Sequence, residues 1–355
     1  MLKQFFYRLV QFFQSFKKYF IAFGCVILLL SSIKILSSLY STNYSDSDYE
    51  DYFNEDHKVF SIRIPKKLNL AGEKVPIANF KVREAIEHEL IKNTFWQSHS
   101  LLLHQRANRW FPLIERILKK NNVPEDFKYL ALIESQLSNV VSPQGATGFW
   151  QLVAPTAKNY GLEITDEVDE RYDAALSTQA ACRYFNEAYK LFNNWTLVAA
   201  SYNLGMTGIQ SQLAKQKVDN YYELALTEET AQFVYRILAM KEIISRPKVY
   251  GFILRKKDMF PVIPSKKIVV DSTIHNITDF AIAQGSNYKI VQFFNPWLRA
   301  NTLTNTAKKK YIIEIPKQGV KIYGLDEDFK LNDTIGKKDS LNQIISNTIA
   351  KDTLK

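Results

Sequence analysis

The chain has 355 residues, 46% of them hydrophobic, and a formal net charge of +10. That length holds one substantial core plus a smaller module, and that hydrophobic share excludes a wholly disordered protein. The positive balance admits a membrane surface, a nucleic acid or an anionic polymer as partner. With no zinc-ligand spacing and no aromatic RNA-binding signature, no nucleic-acid partner is expected.

The chain opens on Leu2, Phe5, Phe6, Leu9, Phe13 and Phe16 at helical spacing. Residues 1–18 therefore read as a basic amphipathic segment, either lying on the inner membrane surface or beginning a longer spanning helix. Residues 19–40, "YFIAFGCVILLLSSIKILSSLY", follow. A bilayer needs about 20 predominantly apolar residues, so this run is long enough to be a transmembrane anchor. Lys34 lies near its far end, where its stem can reach the interface. Lys3, Arg8, Lys17 and Lys18 precede the run, which orients the rest of the chain outside the cytoplasm. The apolar run continues past Cys25 with no small-residue cleavage site, so it reads as an uncleaved anchor rather than a signal peptide. Residues 41–59 are polar and acidic and read as a tether.

From Val82 to about Phe252 apolar residues recur at three- and four-residue steps in six segments. They begin at Val82, His99, Pro124, Ser177, Thr196 and Glu228. Pro124 suits a first helical turn, with Glu125 and Asp126 at the positive end of the dipole. Gly161 marks a helix end. Residues 60–258 are expected to form an all-α domain of catalytic size. Beyond Pro261, "KKIVVDS" and "KKYIIEIP" read as strands, with "ITDFAIAQG" and "YKIVQFFNPWL" as helices between them. Residues 259–324 should form a compact α+β module, and residues 325–355 a polar tail.

Two cysteines, Cys25 and Cys182, are too differently placed to pair, and read as buried free thiols. The five histidines form no metal set. His88 lacks the second histidine of a zinc protease motif, and His99 and His104 fall on different helix faces. No metal and no cofactor are expected.

Glu134 lies on a helical stripe with Phe127, Leu130, Ala131 and Leu137, while Tyr129, Leu132 and Ile133 make the opposite face apolar too. A carboxylate on a helix buried nearly all round is desolvated, which raises its pKa toward what a general acid requires. A buried glutamate paired to an arginine is the alternative from these residues alone. The loop "SPQGATGFWQL" follows at once, with Gly145 and Gly148 allowing close backbone approach, Trp150 an apolar surface and Gln151 a two-way amide. "DERYD" (residues 169–173) reads as a salt-bridged brace around Arg171, and supplies the first candidates for a second catalytic carboxylate. Tyr202 and Asn203, before Gly205, read from the residues alone as a buried tyrosine and a helix end.

Taken in order, "ES", "SPQGATGFWQL", "TA", "DERYD", "WTLVAASYNLG" and "EETAQFVYRILA" resemble the lytic transglycosylases of the lysozyme-like superfamily, of the membrane-bound murein transglycosylase D type. The resemblance spans roughly residues 71–252. It departs from the family pattern at Ala154-Pro155, where the proline usually comes one place earlier. It departs again at Ser201, usually alanine, and at Phe233, usually tyrosine. It implies a mainly α fold: a lysozyme-like all-α catalytic domain, a small α+β C-terminal module and an N-terminal membrane helix. It implies peptidoglycan glycan strands as substrate and a place in the cell envelope, anchored in the cytoplasmic membrane. Glu134 would be the single catalytic acid/base. Ser142 would bond near its carboxyl or the substrate, and Gln151 would contact the sugar. Tyr202 would orient Glu134, Asn203 would shape the same cleft, and Glu229 would open the helix closing its far wall. The C-terminal module resembles a lysin motif without its usual "GDT" lead-in. A goose-lysozyme-like hydrolase of the same bond and a non-catalytic glycan-binding envelope protein are the competing readings.

Overall fold

The computed structural model describes residues 6–8, 16, 19, 29–33, 51 and 59–317. The chain divides into two units, Met1–Ser61 and Ile62–Lys355. In the first, residues 6–8 and 29–33 are helical. Most of the expected anchor at 19–40, and all of the tail at 325–355, lie outside the described residues. Among the described residues, no helix is long and apolar enough to cross a membrane.

The second unit begins with a small hairpin, β1 (Asn69–Leu70) and β2 (Glu73–Lys74), turned at Ala71-Gly72. Then come α1 (Phe80–Phe95) and α2 (Gln97–Lys120). Val82, Ile86 and Leu90 bury the α1 face, and Leu103, Ala107, Phe111, Ile114 and Leu118 the α2 face. These are the four- and three-residue steps that place side chains on one stripe. A short 3-10 turn at Glu125–Phe127 leads into α3 (Lys128–Ser135). Asp126 accepts from the Ala71 amide at 2.7 Å and from Lys241 Nζ at 2.6 Å, tying hairpin, α3 and the last long helix together.

After α3 the chain runs through α4 (Ala154–Asn159), α5 (Ala174–Phe192), α6 (Trp195–Leu204), α7 (Met206–Gln216) and α8 (Glu228–Ser245). Local capping explains the breaks. Asp173 accepts from the amides of Ala175 and Leu176 at the start of α5, and Asn194 from Leu197 at the start of α6. Between these two helices Asn193 takes the left-handed conformation that ends α5. Glu73 adds a cap from outside, accepting from the amides of Trp195 and Thr196. Helix α7 was not anticipated. Gly205, expected to end a helix, has φ 81 and redirects the chain straight into another one.

α3 packs against α2 and α8, with Leu130, Ala131 and Leu132 fully buried. Each such leucine contributes about 1.5–3 kcal/mol of burial energy. The main core gathers side chains from the hairpin, from α1 to α8 and from the segment out to Phe252.

A second core belongs to β3 (Ser265–Val270), α9 (Ile277–Ala283), α10 (Tyr288–Phe294) and β4 (Tyr311–Pro316). The strands pair antiparallel, Ser265 opposite Pro316 and Val270 opposite Tyr311. This is the strand–helix–helix–strand order expected. Val168, from the helical part of the chain, is buried in this second core.

Candidate active site

Glu134 is the next-to-last residue of α3. The helix ends directly after it because Gln136 and Leu137 both take positive φ, 56 and 53. Leu137 therefore leaves the expected stripe and is buried from the turn instead. The helix is buried nearly all round, as expected: Tyr129 to Leu132 and Ser135 are buried, and Ile133 and Glu134 are half-buried. Protein crowds the carboxyl. Burial, and secondarily the negative charge of Glu229, raise its pKa to about 7, against a smaller opposing effect of Arg236.

The loop after α3 folds back on the helix. Ser135 Oγ donates to the Phe149 carbonyl at 2.8 Å. Isolated bridges join Val141 to Thr147 and Thr147 to Leu152. Ser142 closes the tip, its amide donating to the Ala146 carbonyl at 2.8 Å and its Oγ accepting from the Ala146 amide at 3.1 Å. Gly148 is required by space as well as by its φ of 79. A Cβ there would lie 2.0 Å from the Arg171 carbonyl oxygen.

One loop residue differs from expectation. Trp150 offers no surface to a sugar. It is fully buried, and its Nε1 donates to Thr178 Oγ1 at 2.8 Å. Gln151, at φ 46, spends its Nε2 on the carbonyls of Val140 and Gly148, at 3.0 and 2.9 Å. Among the described residues nothing donates to its amide oxygen, so the half-buried side chain braces the loop with one end.

Helix α6 delivers Tyr202 and Asn203. The Tyr202 hydroxyl donates to the Trp150 carbonyl at 2.6 Å, so it fixes the loop rather than bonding Glu134 directly. Burial, and then the charge of Glu134, push its pKa well above the usual tyrosine value, keeping it a donor. Asn203 reaches α8: its Nδ2 donates to Glu229 Oε1 at 3.2 Å, and its Oδ1 accepts from Thr230 Oγ1 at 2.7 Å. Glu229 is exposed in the first turn of α8. Phe233, one turn on, is buried at 3% exposure and brings no hydroxyl.

The acidic segment behaves as a brace. Arg171 bonds Asp169 through both Nε and Nη2, at 3.0 and 2.7 Å, and donates from Nη1 to the carbonyls of Gly145 and Leu152. Glu170 accepts from the Glu163 amide and from Lys309 Nζ, and Asp173 caps α5. The carboxylate whose charge reaches Glu134 is Glu229, not one of these. Arg236 was missed in the sequence. It lies seven residues after Glu229, on the same face of α8, with its Nε 3.9 Å from Glu89 on α1.

Residues 111–224 match the transglycosylase SLT domain, and residues 266–319 the soluble lytic transglycosylase C-terminal LysM-like domain. The chain is 28% identical over 246 residues to membrane-bound lytic murein transglycosylase D of Escherichia coli K12, covering 68% of this chain and 52% of that protein. The same figures hold for its namesake in Escherichia coli O6:H1. The chain thus spans about half the length of these curated relatives. Among solved structures it is similar to an inactive mutant of the lytic transglycosylase Slt from Pseudomonas aeruginosa. There the identity is 17%, the coverage 42% of this chain and 26% of that one, and the TM-score 0.31. The family resemblance carried by the ordered motifs is borne out by the two domain matches and the curated relatives.

Proposed function

We propose that this chain, which carries matches to both a transglycosylase SLT domain and a LysM-like domain of lytic transglycosylases, is a peptidoglycan lytic transglycosylase. It would cleave the β-1,4 bond between N-acetylmuramic acid and N-acetylglucosamine. The observation that carries this reading is Glu134. It sits at a helix end, with a pKa raised to about 7 by burial and by Glu229. A carboxyl with that pKa is substantially protonated at neutral pH and loses its proton readily, as one group acting first as acid and then as base requires.

The protonated Glu134 gives its proton to the glycosidic oxygen as the bond to the muramoyl anomeric carbon breaks. The neighbouring N-acetyl group supports the charge that develops there. The carboxylate then takes the proton of the muramoyl C6 hydroxyl as that oxygen closes on the anomeric carbon. The product end is a 1,6-anhydro sugar, no water is consumed, and Glu134 regains its starting state. The crowded setting of Glu134 favours ring closure over attack by water.

The other site residues take supporting roles in this proposal. Ser142 shapes the loop tip over the glycan, and Gln151 uses its free amide oxygen toward a sugar N–H or hydroxyl. Tyr202 places the loop against the end of α3. Asn203 holds Glu229, which keeps Glu134 protonated. Anchorage by residues 19–40 would put this chemistry at the outer face of the cytoplasmic membrane, in keeping with the description of the curated relatives as membrane-bound.

One observation favours a second reading. Glu229 is a second carboxylate felt at Glu134, and ordinary glycosidases work with two. A hydrolase would use Glu229 to hold a water. Digesting purified peptidoglycan with the full chain in detergent and weighing the products separates the two. Transglycosylase ends are lighter by one water, and hydrated reducing ends as the sole product would exclude the proposal.

A further inference from the structure

We infer that the module of residues 265–317 is a working part of the active-site scaffold: docked on residues 163–172, it holds the Ser142–Leu152 loop in place through Arg171. The inference rests on the proposed reading of that loop as a wall of the substrate cleft.

Residues 163–172 are gripped from both sides. On the module side the contacts are backbone as well as side chain. The Asp169 amide donates to the Trp297 carbonyl at 2.9 Å, and the Arg299 amide to the Glu167 carbonyl at 2.8 Å. Glu167 accepts from the Thr304 amide at 2.6 Å and from Thr302 Oγ1 at 2.5 Å. The Arg299 guanidinium lies 4.1 Å over the Tyr172 ring, and Val168 is 2% exposed inside the module's core. Sharing a core residue and main-chain bonds is how one folded body is built. A glycan-binding appendage on a flexible joint would share neither.

On the loop side the grip passes through one residue. Arg171 is oriented by Asp169, the residue whose amide is held by Trp297. Its Nη1 reaches Gly145 at one end of the loop, at 2.9 Å, and Leu152 at the other, at 3.2 Å. The fork geometry of a guanidinium is what lets one side chain hold a carboxylate and two carbonyls together. The Arg171 carbonyl presses on Gly148 in the middle of the loop, and the Tyr172 carbonyl accepts from Asn139 just before it. Displacing residues 163–172 therefore displaces the loop, which carries Gln151 and the Trp150 carbonyl that Tyr202 holds. Arg171 is a positioning residue, and the module is what keeps it aimed.

The test uses full-length chain in detergent with two substitutions, Glu167→Ala on the module side and Arg171→Met on the loop side. Hydrogen exchange is read over residues 140–152, and kcat and KM on soluble glycan strands well below each thermal midpoint. Both variants should exchange faster over 140–152, although Glu167 touches nothing in that loop. Arg171→Met should lower kcat by about 10- to 100-fold, since catalysis is that sensitive to ångström-scale misplacement. Unaltered exchange over 140–152 in both variants overturns the inference. So does wild-type kcat in an Arg171→Met protein whose only change is a lower thermal midpoint. Should the wild-type chain release no anhydro ends, the proposed function fails, while the exchange result still decides whether module and loop are coupled.

Discussion

Two acidic regions of this molecule use the same side chains to opposite ends. In residues 163–173 the partnered carboxylates are committed: Asp169 to Arg171, Glu170 to Lys309 and a main-chain amide, Asp173 to the first turn of α5. Glu134 is crowded but feels Arg236 less than it feels burial and Glu229. Partnering turns a carboxylate into a structural anchor, fixed in place by the groups it holds. Crowding without a close cation leaves it holding a proton it can give away.

The contrast breaks first at Glu134. Glu134→Gln should abolish release of anhydro ends from peptidoglycan, a loss on the order of 10²–10⁴-fold, because the amide supplies neither proton nor base. The same variant should be the more stable protein at pH 8. With its folded pKa raised from the ordinary 4.5 to about 7, Glu134 favours folding fully at low pH. That contribution is lost as pH rises from the unfolded value through about 7. Urea unfolding should show Glu134→Gln gaining on the order of 1–3 kcal/mol between pH 4 and pH 8 relative to wild type.

The brace breaks next. Gly148→Ala puts a carbon against the Arg171 carbonyl and forces a positive φ on alanine, which should cost about 2–4 kcal/mol by denaturant midpoint. Activity should fall with it even where the variant remains folded.

The pH profile sharpens the comparison. In wild type the limb of kcat governed by the acid should fall as pH rises through about 7. Glu229→Gln removes a like charge, so Glu134 ionises more easily and the limb moves to lower pH. Arg236→Met removes an opposing positive charge and moves it to higher pH. Either limb moving the other way contradicts the assignment of these neighbours. The smallest effect is expected at Tyr202→Phe. Losing the bond to the Trp150 carbonyl should cost about 1 kcal/mol, with a modest drop in kcat from a looser loop.

How far these two regions were legible in the sequence follows from how local their causes are. The helices with regular apolar stripes, the strand–helix–helix–strand module and the pairing of Asp169 with Arg171 all depend on neighbours a few residues away, and were foreseen. What was missed depends on distance. Trp150 reads as a surface aromatic until Thr178, far along the chain, is seen to take its N–H. Leu137 reads as part of the stripe with Glu134 until it and Gln136 turn left-handed and end the helix. Helix α7 was lost because a glycine that ends one helix can equally begin the next. Arg236 carried a faint signal, its seven-residue step from Glu229, but the element it faces, α1, could not be known from α8 alone.

The hairpin at residues 69–74 has a practical bearing on dissecting the chain. Leu68, Leu70 and Val75 are core residues, and Glu73 caps α6, the helix that presents Tyr202 and Asn203. The domain match begins only at residue 111, yet a fragment cut there would lack the carboxylate that seats the start of the helix carrying Tyr202 and Asn203. An excised body meant to retain its chemistry has to begin upstream of Leu68.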